Sequence, residues 1–467
     1  MKPGDKEEPG DKGKPGEEQS ENAPVLPKQM AEEVAEETVP NIEVSLRYAL
    51  GDGQQEWESG SGVARLEKEV LVLAPEGSAP ISISLREIQD LTSINYRLVL
   101  TLKQGSLLTL CDLGYRFDDF LKAVVLRRNE MLLVDLLMEE KSFKEGSRGH
   151  FLWHHIETKL EGEGEIRLYE TALVILPDHG QPLRLPLGTV SSWKAQEYRL
   201  EFLSDQQESL ILSQLGREYD PFRQAVTNRL ADLMTRAQAD LKNLVPSLDA
   251  LILRRLSGLL KEGRAASRRA VEEIFPPFWR ELEQRLAEVG LAESYAYLTK
   301  LAPPELVRIG WKRGLLGDLT GQSLFFLIPM LGQTGGPSNA IAWEASAGEE
   351  EGKATYFFRI VGRLELPELT PMALQQKAES FLDVLNRGLA AVNFRREPIY
   401  LTEDKLTSPQ YTRYRYSLEA IPALRILRMH FIGRVIHASI EQWQKDTAEL
   451  LQFNGFASSD DLRWKKA

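Results

Sequence analysis

Short apolar runs of period two fill the first half of the chain, and runs at helical spacing fill much of the second. In Ile81, Ile83 and Leu85 the apolar residues alternate with Ser82 and Ser84, so one face of that strand meets a core and the other meets water. Further strands are predicted at Ile42 to Leu50, after which a Gly/Ser-rich turn is expected, then at Gly62 to Leu66, Glu69 to Ala74, Tyr96 to Leu102 and Leu107 to Leu110. Pro75-Glu76-Gly77, Asp90 and Gln104-Gly105 separate them as turn formers. After Gly114 the period lengthens: Phe117, Phe120, Leu121, Val124 and Val125 recur at helical spacing, with Asp118 and Asp119 in the first turn, where carboxylates complement the helix dipole.

This order is written twice. Gly60 to Arg127 and Gly162 to Arg229 align at a constant offset of 102 without a gap, pairing Gly62 with Gly164, Arg65 with Arg167, Val72 with Val174, Tyr96 with Tyr198, Phe120 with Phe222 and Val124 with Val226. A fixed period of self-similarity marks a duplicated structural unit. The second copy is expected to run through strands at Glu165 to Tyr169, Leu173 to Leu176, Leu183 to Leu187, Tyr198 to Phe202 and Leu210 to Leu212, then a helix through Tyr219, Phe222, Val226, Leu230 and Leu233. Between the copies, Lys141 to Leu160 reads either as a strand leading into the second unit or as a short linker.

Beyond Pro246 the strands stop. Leu248 to Leu260, Ala265 to Ile274 and Pro277 to Leu301 read as amphipathic helices, an arm ending near Lys312. Ser323 to Leu331, Ala340 to Ala345 and Ala354 to Val361 then suggest an antiparallel meander, with turns at Gly335-Gly336-Pro337 and Gly348 to Gly352. Pro371 to Val392 reads as a helix with Ala378, Phe381, Leu382, Leu385 and Leu389 on one stripe and proline in its first turn. Pro398 to Leu401 and Tyr411 to Tyr416 (YTRYRY) read as strands, and helix is expected from about Leu418 to Phe453. The resulting division is a Pro/Gly/Glu/Lys-rich acidic tail at 1–43 expected to be disordered, repeat units at 44–140 and 141–245, a helical arm at 246–317, an α+β domain at 318–457 and a tail at 458–467.

The order of strands, the P-x-x-I/L-x-L motif, the later Tyr-Arg-Leu strand and the Phe-x-x-Ala-Val helix resemble the pleckstrin-homology-like superfold, in the manner of GRAM-type and bacterial PH-like modules. The likeness covers about residues 44–245, under half the chain. It implies an α+β fold class: two tandem β-barrel or sandwich domains, each stoppered by its C-terminal helix through Phe117/Phe120/Val124 and Tyr219/Phe222/Val226. Tandem modules of this kind also occur in eukaryotic histone chaperones, with which an acidic tail is compatible.

Composition narrows the chemistry. With 467 residues the chain is too long for one ordinary core. A hydrophobic share of 42% and a charged share of 27% are those of a soluble globular protein. The single cysteine, Cys111, excludes an internal disulfide and reads as a buried thiol. The first residues carry no apolar run of secretory type, no apolar segment reaches about 18 residues, and a cytoplasmic location is expected. A net charge of -12 argues against a surface built for nucleic acid. No cofactor and no metal are expected.

His150, His154 and His155 lack a carboxylate or cysteine at metal-ligand spacing, and His430 and His437 fall seven apart on one expected helix face; both sets read as hydrogen-bonded rather than ligating. Gly332 to Pro337 is glycine-rich, but no Lys-Ser/Thr follows, so it reads as a loop rather than a phosphate cradle. No nucleophile elbow or HExxH is present. Two basic clusters remain: Arg254, Arg255, Lys261, Arg264, Arg268 and Arg269, and a second made of Arg413, Arg415, Arg425 and Arg428. The simplest reading of both is a solvated face or internal pairing; the other is an anionic partner, such as a membrane surface or an acidic protein segment. The loops where PH domains set lipid-binding lysines are expected at Gly51 to Glu56 and Glu161 to Gly164, and both are acidic or neutral. The favoured function is a non-catalytic binding or scaffolding protein with a protein partner. The alternatives are weak anionic-membrane association through the helical arm and an enzyme using residues such as Arg413 or His437.

Overall fold

The computed structural model describes residues 42–456, apart from 138–139, 141, 156–157, 179, 206–207, 301, 314–321, 332–337, 346–353, 363–364 and 438. The expected acidic tail, the C-terminal tail, the Gly332 to Pro337 loop and the turn at Gly348 to Gly352 therefore lie outside the described residues or nearly so.

Two seven-stranded antiparallel sheets dominate the first half. The first contains β1 (Ile42–Gly51), β2 (Glu56–Leu66), β3 (Val70–Pro75), β4 (Ile81–Ser84), β5 (Ile88–Ile94), β6 (Arg97–Leu102) and β7 (Leu107–Cys111), followed by α1 (Phe117–Asp135). The second contains β8 (Ser142–His155), β9 (Thr158–Tyr169), β10 (Ala172–Pro177), β11 (Leu183–Pro186), β12 (Val190–Gln196), β13 (Arg199–Ser204) and β14 (Glu208–Ser213), followed by α2 (Tyr219–Leu244). Their strand orders, β4-β3-β2-β1-β7-β6-β5 and β11-β10-β9-β8-β14-β13-β12, are identical. Of the stretch between the copies, the described residues Ser142–His155 and Thr158 to Leu160 are thus strand, not linker.

The copies agree to the level of single backbone angles. The β5–β6 and β12–β13 hairpins turn on Asn95-Tyr96 and Glu197-Tyr198, all four residues left-handed, and Asp112 and Gln214 share a φ of 59° and 58°. Gly62 and Gly164 are kept for a steric reason. A Cβ there would stand 2.6 Å and 2.5 Å from the carbonyl oxygens of Ala74 and Leu176 on the neighbouring strand. Phe117, Phe120 and Val124 in α1, and Tyr219, Phe222 and Val226 in α2, are buried as the helical stripes require.

Two strands escape the alternation rule. β5 and β12 carry no alternation that predicts a strand, yet both pair along their length; each has a register shift near its start, Ile88/Asp90 and Val190/Ser192, which breaks the period-two pattern. Asp90, expected to be a turn former, sits at that bulge. The Gly/Ser stretch after β1 is largely strand as well, because Ser59 to Gly62 lie inside β2.

The second half does not divide at residue 317. It runs through α3 (Ala250–Leu259), β15 (Ala266–Ser267), α4 (Arg268–Glu272), α5 (Phe278–Glu288), α6 (Ala292–Thr299), β16 (Arg308–Arg313), β17 (Gln322–Met330), β18 (Ser338–Ala345) and β19 (Ala354–Val361). Next come α7 (Pro371–Ala391), α8 (Glu397–Tyr400), α9 (Glu403–Leu406), α10 (Thr412–Ala420), α11 (Pro422–His430), β20 (Phe431–Ile436) and α12 (Ile440–Phe456). A third antiparallel sheet, β15-β16-β17-β18-β19-β20, takes two strands from the expected helical arm. The arm is part of the C-terminal core, since β16 pairs with β17 across the expected boundary. Phe325 packs on Phe394 and its neighbour Phe326 on Tyr295, so both faces of this sheet are covered and β19 is buried almost throughout. Such strands read as unbroken apolar runs.

Pro277 to Leu301 is two helices, broken at Gly290, whose φ is 75°. Pro398 to Leu401 and YTRYRY are helical, as α8 and α10, not strands. The long helix expected from Leu418 to Phe453 is broken at Ile421 and interrupted by β20. α7 is as expected, with Thr370 capping its amino end.

The three sheets belong to one unit from Ile42 onward. Leu133, Leu136 and Leu137, at and beyond the end of α1, share a cluster with Tyr169, Val174 and Leu176 of the second sheet. Glu130 of α1 meets Arg167 at 2.7 Å, and Arg128 spans the copies by donating to the carbonyls of Ile88, Gln89 and Gly180.

Candidate functional site

The first basic cluster is mostly consumed inside the fold. Lys261 donates its Nζ to the carbonyl of Val190, and burial pushes its pKa down. Arg264 pairs with Asp205 at 2.9 Å, Arg268 with Glu272 at 2.9 Å while lying over the Trp279 ring, and Arg269 approaches Glu379 at 3.6 Å. Only Arg254 and Arg255, on the outer face of α3, are exposed with no ion pair to a described residue. The six are not one patch.

The second cluster splits likewise. Arg428 is buried, donating to the carbonyls of Pro398 and Ile399 and pairing with Glu403 at 2.8 Å, and so ties α11 to α8 and α9. Arg425 donates to the Leu418 and Glu419 carbonyls at 2.9 and 2.5 Å, capping the carboxyl end of α10, where a cation complements the dipole. Arg413 and Arg415, one residue apart from being neighbours, stand on a helix rather than one strand face; each lies over the ring of the tyrosine that follows it. Arg415 and Arg425 do converge. With Glu403, Leu406, Thr407, Leu418 and Glu419 they line an open groove of 530 Å³ between α9, α10 and α11. Its floor is apolar and its rim carries both signs of charge.

That groove abuts the first copy. Lys103 meets Glu419 at 2.6 Å, and Lys103 and Arg86 lie over the Tyr416 ring at 4.8 and 5.3 Å. Arg86 also binds Glu69 at 2.8 Å and Asp135 at 3.0 Å. Burial is the larger influence on Asp135 and raises its pKa to about 6 in spite of the Arg86 guanidinium.

His150, His430 and His437 have ordinary partners. His150 sits on β8, 3.5 Å from Glu161; His430 holds the carbonyl of Arg359 at 2.6 Å; His437 meets Thr355 Oγ1 at 3.0 Å. β20 separates the last two, so they share no helix face. Among the described residues no group of three or more His, Cys, Asp or Glu is placed to hold a metal ion. Cys111 is half-buried, less enclosed than expected, with Sγ 3.5 Å from the Arg47 carbonyl. Asp52 in the β1–β2 loop accepts from the amides of Gln54 and Gln55, which lowers its pKa. In the second copy Glu161 to Gly164 lies inside β9, so the matching loop is at 156–157, outside the described residues.

The features that sequence reasoning missed are the two edges. A two-residue hairpin joins Ile94 to Arg97 and Gln196 to Arg199, pairs that exchange both ladder bonds. Counting back from them, the backbone groups of Leu91 and Ser93, and of Trp193 and Ala195, face away from the sheets, although the Leu91 amide already donates to Asp90 Oδ1 at 2.9 Å. The paired turns at Asn95-Tyr96 and Glu197-Tyr198 end the edges with a tyrosine 75% exposed in both copies, its ring against Phe117 or Tyr219 at 5.6 and 5.2 Å. A sequence signal existed: the tyrosines are among the positions shared at the 102 offset.

No protein-family model matches this chain, and no curated protein does. Among solved structures, the Spt16D Pob3N heterodimer is similar over 35% of this chain and 83% of its own, at 10% identity and a TM-score of 0.15, too poor a superposition to carry fold or function. No helix among the described residues is long and apolar enough to cross a membrane.

Proposed function

We propose that this is a non-catalytic binding and scaffolding protein, whose tandem PH-like units dock extended segments of a protein partner along the outer edges of β5 and β12. One observation carries the reading: in both copies β5 or β12 closes one end of the sheet with no described strand beyond it, with outward backbone groups in its second half and an exposed tyrosine at its end. Such an edge binds by backbone pairing, with neighbouring side chains selecting the sequence. The amino ends of the edges are already engaged, Arg128 holding the carbonyls of Ile88 and Gln89, Asp90 Oδ1 accepting from the Leu91 amide, and Lys261 holding the Val190 carbonyl. Two edges in one compact unit would raise the apparent affinity for a partner carrying two segments.

Display of random peptides against the whole chain tests this. Selected peptides should lose about tenfold or more in affinity when an outward amide is removed by Ser93→Pro or Ala195→Pro, and all binding in the double variant. If selected peptides bind the double variant unchanged, the edges are not the docking sites.

A further inference from the structure

The side of α2 turned toward β16 carries more positive charge than the fold uses. Arg229, only 3% exposed, makes no hydrogen bond to the described residues: among them its Nε and Nη2 find no acceptor, and Asp232 stands 3.7 Å from Nη1. Phe143 covers one face of the guanidinium, 5.8 Å from ring centre to Cζ. Two further guanidiniums lie beside it. Arg236, two turns along α2, and Arg313, at the end of β16, bind the same carboxylate oxygen of Glu170 at 2.5 and 3.1 Å. Glu262, the next acid, is taken by Lys312 at 3.0 Å. Among the described residues three arginines thus face two carboxylates, one of which touches Arg229 only at the limit of ion pairing.

Comparison of the copies shows that the barrel does not need this set. Arg229 corresponds to Arg127, but Arg236 corresponds to Val134 and Glu170 to Lys68. Arg313 belongs to the third sheet, outside the repeat. The cluster exists only where the second copy meets the C-terminal core. A guanidinium buried with orphan donors carries a desolvation cost that native proteins avoid by supplying an acceptor.

We infer that Arg229, Arg236 and Arg313 form a site for a small phosphate-class oxyanion. Guanidinium forks match such an anion in geometry, and one bound at this point would satisfy the Arg229 donors and balance the excess charge. A membrane headgroup is a poor fit, because the orphan donors lie below the surface, so the anion is a free one. Glu170 competes for Arg236 and Arg313 and therefore tunes the affinity.

The test uses the whole chain and inorganic phosphate, titrated against chloride at constant ionic strength while thermal unfolding is followed. The expected result is a saturable rise in Tm, about 3 °C at a hundredfold excess over Kd for a chain of this size. Arg236→Met should abolish the rise, and Arg229→Met should do the same if that variant folds. Glu170→Gln should lower the half-saturating phosphate concentration about tenfold. A rise no larger than that in matched chloride, or one that persists unchanged in Arg236→Met, overturns the site and shows that water alone meets the Arg229 donors. Peptide binding at the sheet edges is untouched by either result.

Discussion

β3 of the first copy and β10 of the second occupy the same place in the same sheet order, yet they bury different amounts of themselves. β3, VLVLAP, alternates between half-buried and buried residues; β10, ALVILP, is buried at every position. The difference comes from what lies on the outer face. In the second copy that face is covered by the end of α1, and Tyr169, Leu176 and Arg184 stand where the first copy has Glu67, Ala74 and Ser82. A duplicated sheet has thus been rewritten on one side only, turning a solvated face into an interface without disturbing the strand order. Each fully buried aliphatic side chain gained this way contributes about 1.5–3 kcal/mol.

The sharpest way to break that contrast is at Arg184. Its side chain is 5% exposed, pairs with Glu140 (7% exposed) at 3.2 Å, and donates to the Ala390 and Ala391 carbonyls at the end of α7. Glu140 in turn receives the amide and hydroxyl of Thr171. Arg184→Ala strands a buried carboxylate, so urea unfolding should show a loss of about 3–5 kcal/mol, against about 0.5 kcal/mol or less for Ser82→Ala at the matching place. Equal losses would mean that the two faces are not differently employed.

Next in size is a pH effect. Asp135 ends α1 at a position where α2 has Ala237. With its folded pKa at about 6, above the ordinary 3.8, the native state keeps a proton that the unfolded chain releases between those values. Its contribution is present in full below about pH 4 and lost as pH rises through 6. Asp135→Asn should therefore flatten the fall in unfolding free energy between pH 4 and 6, by up to about 3 kcal/mol. Parallel curves for the two proteins would refute the assignment. Smaller again, Val174→Ala should cost about 2 kcal/mol and the half-buried Val72→Ala about 1 kcal/mol or less, measured as a shift in urea midpoint.

The smallest effect sharpens what the copies share. Both hairpins need two left-handed residues; Asn95 suits the first position and Glu197 does not. Glu197→Asn should raise stability by about 0.5 kcal/mol, seen as a small gain in Tm. No gain would show that strain at this turn is relieved elsewhere.

The duplication, the plug helices and most strands of both copies were legible in the residues, because alternation and helical spacing survive wherever an element has one wet face. The edges β5 and β12 were not legible, since a bulge shifts the register and an outermost strand has little need of a clean pattern. YTRYRY misled for another reason: its aromatic residues favour strands, while packing of Tyr414 and Ser417 under the neighbouring helices holds it as α10. The basic clusters were visible as composition but not as geometry.

What the chain alone determined is its local periodicity: where a strand or helix forms, and that one unit is repeated at an offset of 102. Only the tertiary structure decided which charges remain available. Arg264 finds Asp205 and Arg308 finds Asp383, residues distant along the chain. Ion pairing depends on distances between elements, and no pattern of neighbouring residues encodes those distances.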